Sequence, residues 1–249
     1  MSVRVGLFVT CLVDLVRPQV GFAAVKLLEQ AGCTVEVPDV QTCCGQPAWN
    51  AGADRDARDI ARQVIATFEG FDYVVAPSGS CAGMIKRHYP ELLKDDAEWK
   101  TRAEALAAKT YELLSFLAAR GFTANVTCNA MAAYHDSCSS MREMNVREQP
   151  RGLLASVNGL TLLELKEKDV CCGFGGLFSL KYPEISARMA DDKLADAKSS
   201  GAQLIVGGDL GCLLHLAGRL SREGSPLRCR HVAEILAGFG DSPAIGEDA

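Results

Sequence analysis

One cysteine pattern is written twice along this chain. Cys11, the adjacent pair Cys43-Cys44 and Cys81 are separated by 31 and 36 residues; Cys138, the pair Cys171-Cys172 and Cys212 are separated by 32 and 39. Matched members lie 127, 128, 128 and 131 residues apart, so eight of the eleven cysteines belong to the repeat. A fixed long period means one supersecondary unit used twice, which divides the 249 residues into two compact halves. The odd cysteine total, the strained ring that bonded neighbours would form and a length that needs no covalent staples all argue against a disulfide framework. Cys33, Cys128 and Cys229 fall outside the repeat and are expected as buried packing thiols.

Local patterning repeats in step with the cysteines. Apolar, β-branched runs predict strands over residues 3–9, 34–37, 73–76, 132–135, 160–165 and 204–206, each ending shortly before a cysteine group. Helical spacing predicts helices over 20–30, 53–68 and 184–198, and a long amphipathic helix over 99–119 that joins the halves. Strands alternating with helices predict an α/β fold of two tandem pseudo-repeated domains, each a parallel sheet flanked by helices. The first spans 1–120 with the linking helix, the second 121–239, and 240–249 reads as a loose polar tail. Functional groups in such sheets gather outside the carboxyl ends of the strands, so the loops are expected to bring four sulfurs together in each half.

Composition narrows the partners. A net charge of −5, with lysine and arginine scattered, gives no basic field for nucleic acid or anionic lipid. No apolar stretch approaches the roughly 18–20 residues of a membrane span, and the first ten residues are too short for a signal peptide. A cytoplasmic location is expected, where thiols stay reduced.

Four thiolates make a soft, electron-rich cage suited to zinc or an iron–sulfur cluster and unsuited to magnesium or calcium. Zinc sites favour C-x-x-C knuckles, and none occurs: Met84 and His215 stand three residues after Cys81 and Cys212. Long gaps around an adjacent pair suit a larger object reached from several loops. The glycines beside the thiols, Gly45, Gly79, Gly173 and Gly211 foremost, are candidate cofactor-binding positions because they let backbone approach closely; tight turns explain them equally. His215 is a candidate additional ligand, or a histidine on a helix face. His135-Asp136 reads as a hydrogen-bonding pair near sulfur or a polar pair at a strand end.

Cys43-Cys44-Gly45-Gln46-Pro47 and Cys171-Cys172-Gly173-Phe174-Gly175-Gly176, set in the doubled series, resemble the cysteine-rich CCG-domain family. That family includes the cysteine-rich component of heterodisulfide reductase and the iron–sulfur subunit of glycolate oxidase. The segments 7–14, 77–81, 211–213 and 218–220 are closest to its lactate-utilisation branch. The resemblance implies a cytoplasmic iron–sulfur electron-transfer subunit that works with two companion proteins, at least one itself an iron–sulfur protein, in oxidising L-lactate to pyruvate. It implies Cys11, Cys43, Cys44, Cys81, Cys138, Cys171, Cys172 and Cys212 as metal ligands. The heterodisulfide reductase type carries a fifth cysteine per motif where Met84 and His215 stand here. That departure leaves a conventional [4Fe-4S] cluster in one half or both, or zinc in an assembly subunit, as the open choices.

Other chemistries explain less. Gly79-Ser80-Cys81-Ala82-Gly83 fits a nucleophile elbow with cysteine in place of serine, but a hydrolase at Cys81 accounts for one cysteine of eight and predicts no repeat. A thiol–disulfide oxidoreductase would want C-x-x-C. Gly173-Phe174-Gly175-Gly176-Leu177-Phe178 lacks the third glycine of a dinucleotide fingerprint, so hydride chemistry is expected in a partner.

Overall fold

The structure, a computed structural model, describes residues 2–247. Among the described residues, eight strands form two four-stranded sheets: β1 (Val3–Leu7), β2 (Cys33–Glu36), β3 (Tyr73–Ala76) and β4 (Thr110–Glu112) in one, β5 (Thr127–His135), β6 (Asn158–Leu163), β7 (Leu204–Gly207) and β8 (Arg228–His231) in the other. The strand orders are β2-β1-β3-β4 and β6-β5-β7-β8, and each neighbouring pair is parallel. The doubled cysteine pattern is therefore a doubled fold, an α/β architecture of two parallel sheets flanked by helices.

Strand and helix positions follow the hydrophobic pattern because one face or stripe of each element must leave water. Pro18–Gln30 buries Val20, Ala23, Ala24, Leu27 and Leu28, and Asp54–Phe68 buries Ala57, Ala61, Val64, Ile65 and Phe68. Pro183–Ser199 repeats the arrangement in the second half.

The predicted linking helix over 99–119 is not continuous. It breaks into Ala97–Ala108, strand β4 and Leu113–Ala119. Thr110 and Tyr111 carry strand-favouring side chains, and Val74, Val75 and Ala76 offer β4 an unpaired parallel edge that a helix would leave unsatisfied. The Glu112 side chain then accepts from the Ser115 amide at 3.0 Å and starts the next helix.

The halves interlock. Leu113–Ala119 packs on Glu148–Leu154 of the second half, and Val232–Leu236 packs on Pro18–Gln30 of the first. Arg17 pairs with the buried Glu234 at 2.8 Å, and Lys26 donates to the Ala237 carbonyl at 2.7 Å. One apolar core consequently runs through both halves, from Val5 and Leu7 through Leu117 and Tyr134 to Val206 and Leu236. The stretch expected as a loose tail packs as well: Ala244 and Ile245 are buried, the Ile245 amide donates to the Cys229 carbonyl at 2.9 Å, and Arg17 holds the Pro243 carbonyl at 2.6 Å. Two apolar side chains there outweigh the polar composition; residues 248–249 of that stretch lie outside the described residues.

Candidate metal centre

Every cysteine of the repeat lies just beyond the carboxyl end of a strand. Cys11 and Cys138 open the helices Cys11–Val16 and Cys138–Met144 after β1 and β5. The adjacent pairs occupy the loops after β2 and β6. Cys81 and Cys212 sit in the first turns of Gly79–Gly83 and Leu210–Glu223 after β3 and β7.

Within each half the thiols neighbour one another in the same order. Cys11 lies beside Cys43, Cys43 beside Cys44, and Cys44 beside Cys81, each close enough to shift its neighbour's ionisation. In the second half Cys138 and Cys171 lie 4.0 Å apart, sulfur to sulfur, Cys171 meets Cys172, and Cys172 meets Cys212. All eleven cysteines are free thiols. Cys33 and Cys229 are buried in strands β2 and β8 and Cys128 is half-buried in β5, away from both nests.

The backbone supports charge on sulfur. The Gly45 amide donates to Cys43 Sγ at 3.4 Å and the Gly173 amide to Cys171 Sγ at 3.3 Å, from left-handed turns (φ 83° and 86°) that favour glycine. Hydrogen bonds from Cys11 and Cys44, with the Gly45 amide, hold Cys43 well below the usual thiol range, while the same contact with Cys43, and burial, push Cys11 up. Crowded thiols repel one another when ionised, so the nest favours keeping some of them protonated. Metal binding would release those remaining protons.

Gly79 and Gly211 have other neighbours. A Cβ on Gly79 would lie 1.9 Å from Ser140 Oγ, and one on Gly211 would lie 2.3 Å from the Phe174 ring. Gly79 therefore lets the Gly79–Gly83 helix cross Cys138–Met144 closely, which brings the two nests together. His215 points its Nε2 at Ser186, 3.2 Å from Oγ and 3.4 Å from the carbonyl, while Ser186 Oγ donates to the Gly173 carbonyl. Met84 is fully buried in the turn Met84–His88.

Both nests open on one cavity of about 270 Å³, lined by Cys11, Cys43, Cys44 and Cys81 from the first half and by Cys138 and Cys212 from the second. A water molecule's share of liquid is about 30 Å³, so the space exceeds what a single ion needs. At its seam lies Asp209, wholly buried, whose carboxylate accepts from Ser78 Oγ (2.6 Å), Ser80 N (3.1 Å), Ser80 Oγ (2.9 Å) and Ser140 Oγ (2.8 Å). Burial opposes its ionised form, and hydrogen bonds from Ser137, Ser78, Ser80 and Ser140 outweigh that, holding it below the usual carboxylate range. No pattern in the residue order marks this bridge, because its partners lie 69 to 131 residues away.

The second nest has further polar company. Lys193, 2% exposed, donates to the Glu167 carbonyl and lies in the field of Cys171 and Cys172. His135 is buried with both ring nitrogens unpartnered; burial pushes it down to about 4, so it is neutral at pH 7. Its ligand atom and the sulfurs of Cys172 and Cys212 lie within 4.8 Å of one another. Soft donors, amide support and an orphaned buried imidazole together fit a resident metal centre. Of the histidines a nucleophilic Cys81 could draw on, His231 is engaged with the Pro77 carbonyl at 3.2 Å and His215 with Ser186, while His135 lies with Cys172 and Cys212 of the other half.

The family model for the cysteine-rich domain (CCG) matches residues 5–86 and 132–217, one match per half. The chain is 46% identical over 235 residues to lactate utilization protein A of Halalkalibacterium halodurans, covering 94% of this chain and 96% of that one. It is likewise 46% identical to lactate utilization protein A of Geobacillus kaustophilus, covering 94% and 98%. Among solved structures, a hypothetical protein from Helicobacter pylori shares the fold at a TM-score of 0.68 and 13% identity; 96% of this chain matches 49% of that one, so the chain spans about half its length. The repeated scaffold, the two thiol nests at its strand ends and these likenesses agree: the chain belongs to the cysteine-rich CCG domain family, among the relatives of lactate utilization protein A.

Proposed function

We propose that this chain is the iron–sulfur electron-transfer subunit of a lactate-utilisation system, in which L-lactate is oxidised to pyruvate with companion proteins. The observation that carries the reading is the matching set of four neighbouring thiols at the strand ends of each half, members of both sets lining one cavity. Bound iron–sulfur centres supply one-electron redox capacity. Cys11, Cys43, Cys44 and Cys81 would hold the centre in the first nest, and Cys138, Cys171, Cys172 and Cys212 that in the second. The amides of Gly45 and Gly173 donate to sulfur and offset negative charge in a half-buried site. Asp209 and its serine partners fix the spacing between the nests. Lactate oxidation releases two electrons and two protons, and the hydride chemistry is assigned to a companion protein.

Purified without oxygen, the full chain should be brown and contain iron with acid-labile sulfide. A colourless chain that binds zinc alone, even after reconstitution with iron and sulfide, would replace this reading with that of a zinc-holding assembly subunit. In the source organism, removal of the chain should abolish growth on L-lactate while sparing growth on glucose; unchanged growth on lactate would refute the metabolic assignment.

A further inference from the structure

Strand β5 ends in His135, whose register partner is Gly207 at the end of β7. The residue is 1% exposed, and neither Nδ1 nor Nε2 has a hydrogen-bond partner. A buried polar atom left unpaired costs about 1–3 kcal/mol, and native proteins rarely carry two on one ring without a reason. The neighbouring polar groups are committed elsewhere. Asp136 accepts from Arg151 at 2.9 and 2.7 Å, Asp209 is saturated by serines, and Lys193 is turned to the Glu167 carbonyl. What remains within reach is sulfur: the ring's ligand atom, Cys172 Sγ and Cys212 Sγ all lie within 4.8 Å of one another.

The fold itself does not require a histidine there. Three residues before Cys138 stands His135; three residues before Cys11, one residue past the end of the matching strand, stands Phe8. Phe8 is fully buried and packs on Phe68 with ring centroids 5.6 Å apart. The same buried position is thus filled by an apolar ring in one half and by an imidazole facing thiols in the other.

We propose that His135 is a metal ligand, one ring nitrogen joining the thiolates of Cys172 and Cys212 on the metal held by the second nest. That nest is then a mixed imidazole–thiolate site, facing an all-thiolate first nest. The inference rests on the metal-binding reading above. On coordination the two thiols give up their protons, and the neutral imidazole keeps one proton on its other nitrogen.

The test uses the full chain, reconstituted anaerobically with iron and sulfide, and in a parallel sample with zinc alone. The zinc sample should show a nitrogen shell at about 2.0–2.1 Å beside sulfur at about 2.3 Å in X-ray absorption. The reduced iron sample, grown on 15N-histidine, should show an isotope-sensitive nitrogen coupling in pulsed EPR. Both signals should vanish in His135→Phe, which carries the first half's residue, and persist in His215→Ala. An all-sulfur shell in the metal-loaded wild type overturns the inference while leaving the metal-binding reading intact, and it does so whether or not the variant folds. Loss of the nitrogen signal in His215→Ala instead of His135→Phe overturns it too. Failure of the wild type to bind any metal overturns both.

Discussion

The two thiol nests share ligand order, strand-end placement and an amide donor to the first sulfur of each adjacent pair, yet they are backed by different chemistry. Behind the first stand Phe8, Met84 and Tyr89, all fully buried, with the Tyr89 hydroxyl donating to the Cys44 carbonyl at 2.8 Å. Behind the second stand His135 and Lys193, with Asp209 three residues before Cys212 where the first half has Ser78 three residues before Cys81. A dry, apolar backing disfavours charge on whatever the sulfurs hold, whereas buried ionisable groups shift the balance by their own charge. Identical sets of thiols therefore do not make equivalent sites; the groups packed around them separate the two.

The largest effects should come from the thiols. Cys171→Ala or Cys172→Ala should strip the second nest of its metal while the first keeps its share, and Cys43→Ala or Cys44→Ala should do the reverse; Cys33→Ala should retain full content. Metal and sulfide analysis of each variant checks this, and equal loss in both nests from either pair would show one shared centre in place of two. Next comes the seam. Asp209→Ala removes the acceptor for Ser78, Ser80 and Ser140 and should cost about 3–5 kcal/mol in urea unfolding near pH 7. Because the carboxyl is held below its usual range, that stabilisation is present above pH 4 and fades only as the pH falls further.

A third test concerns Glu112, which faces the seam from β4 within the field of Asp209. Burial pushes it up to about 7, against about 4.3 in an unfolded chain. Between those values the native state binds a proton that the unfolded state lacks, so stability falls as pH rises through the window. At pH 8 the deficit reaches about 3 kcal/mol, and Glu112→Gln, which keeps an acceptor for the Ser115 amide, should remove it. The gain in urea midpoint of the variant over the parent should be larger at pH 8 than at pH 5, a difference that cancels the opposite titration of the buried histidines. The smallest effect is expected at the helix crossing: Gly79→Ala sets a methyl against Ser140 and should cost about 1–3 kcal/mol, read as a lower melting temperature.

Much of this was legible in the residue order. Cysteine spacing and β-branched runs located β3 at residues 73–76 and most other strands to within a few residues, since a strand that feeds a ligand loop must be apolar and must end before it. Thr110-Tyr111-Glu112 was hidden, because three residues are too few to break a helical period; only the free edge of β3 reveals them. The shared cavity was invisible for a related reason, as docking of the halves depends on Gly79 meeting Ser140 and Asp209 meeting Ser78 and Ser80, contacts with no sequence period. His135 had a signal in reach. Alignment of the halves on their cysteines sets it against Phe8, and a polar residue where the twin is apolar and buried is the mark of a local task.

The mutual loan of helices, Leu113–Ala119 to one side and Val232–Leu236 to the other, gives the chain the architecture of a two-fold dimer strung on a single thread. In a true dimer of identical subunits, symmetry obliges both copies to carry the same residue at every position. Joined end to end, the copies are released from that obligation, and a phenylalanine in one can stand opposite a histidine in the other. Fusion is thus what permits one scaffold to offer two dissimilar thiol environments across a common space.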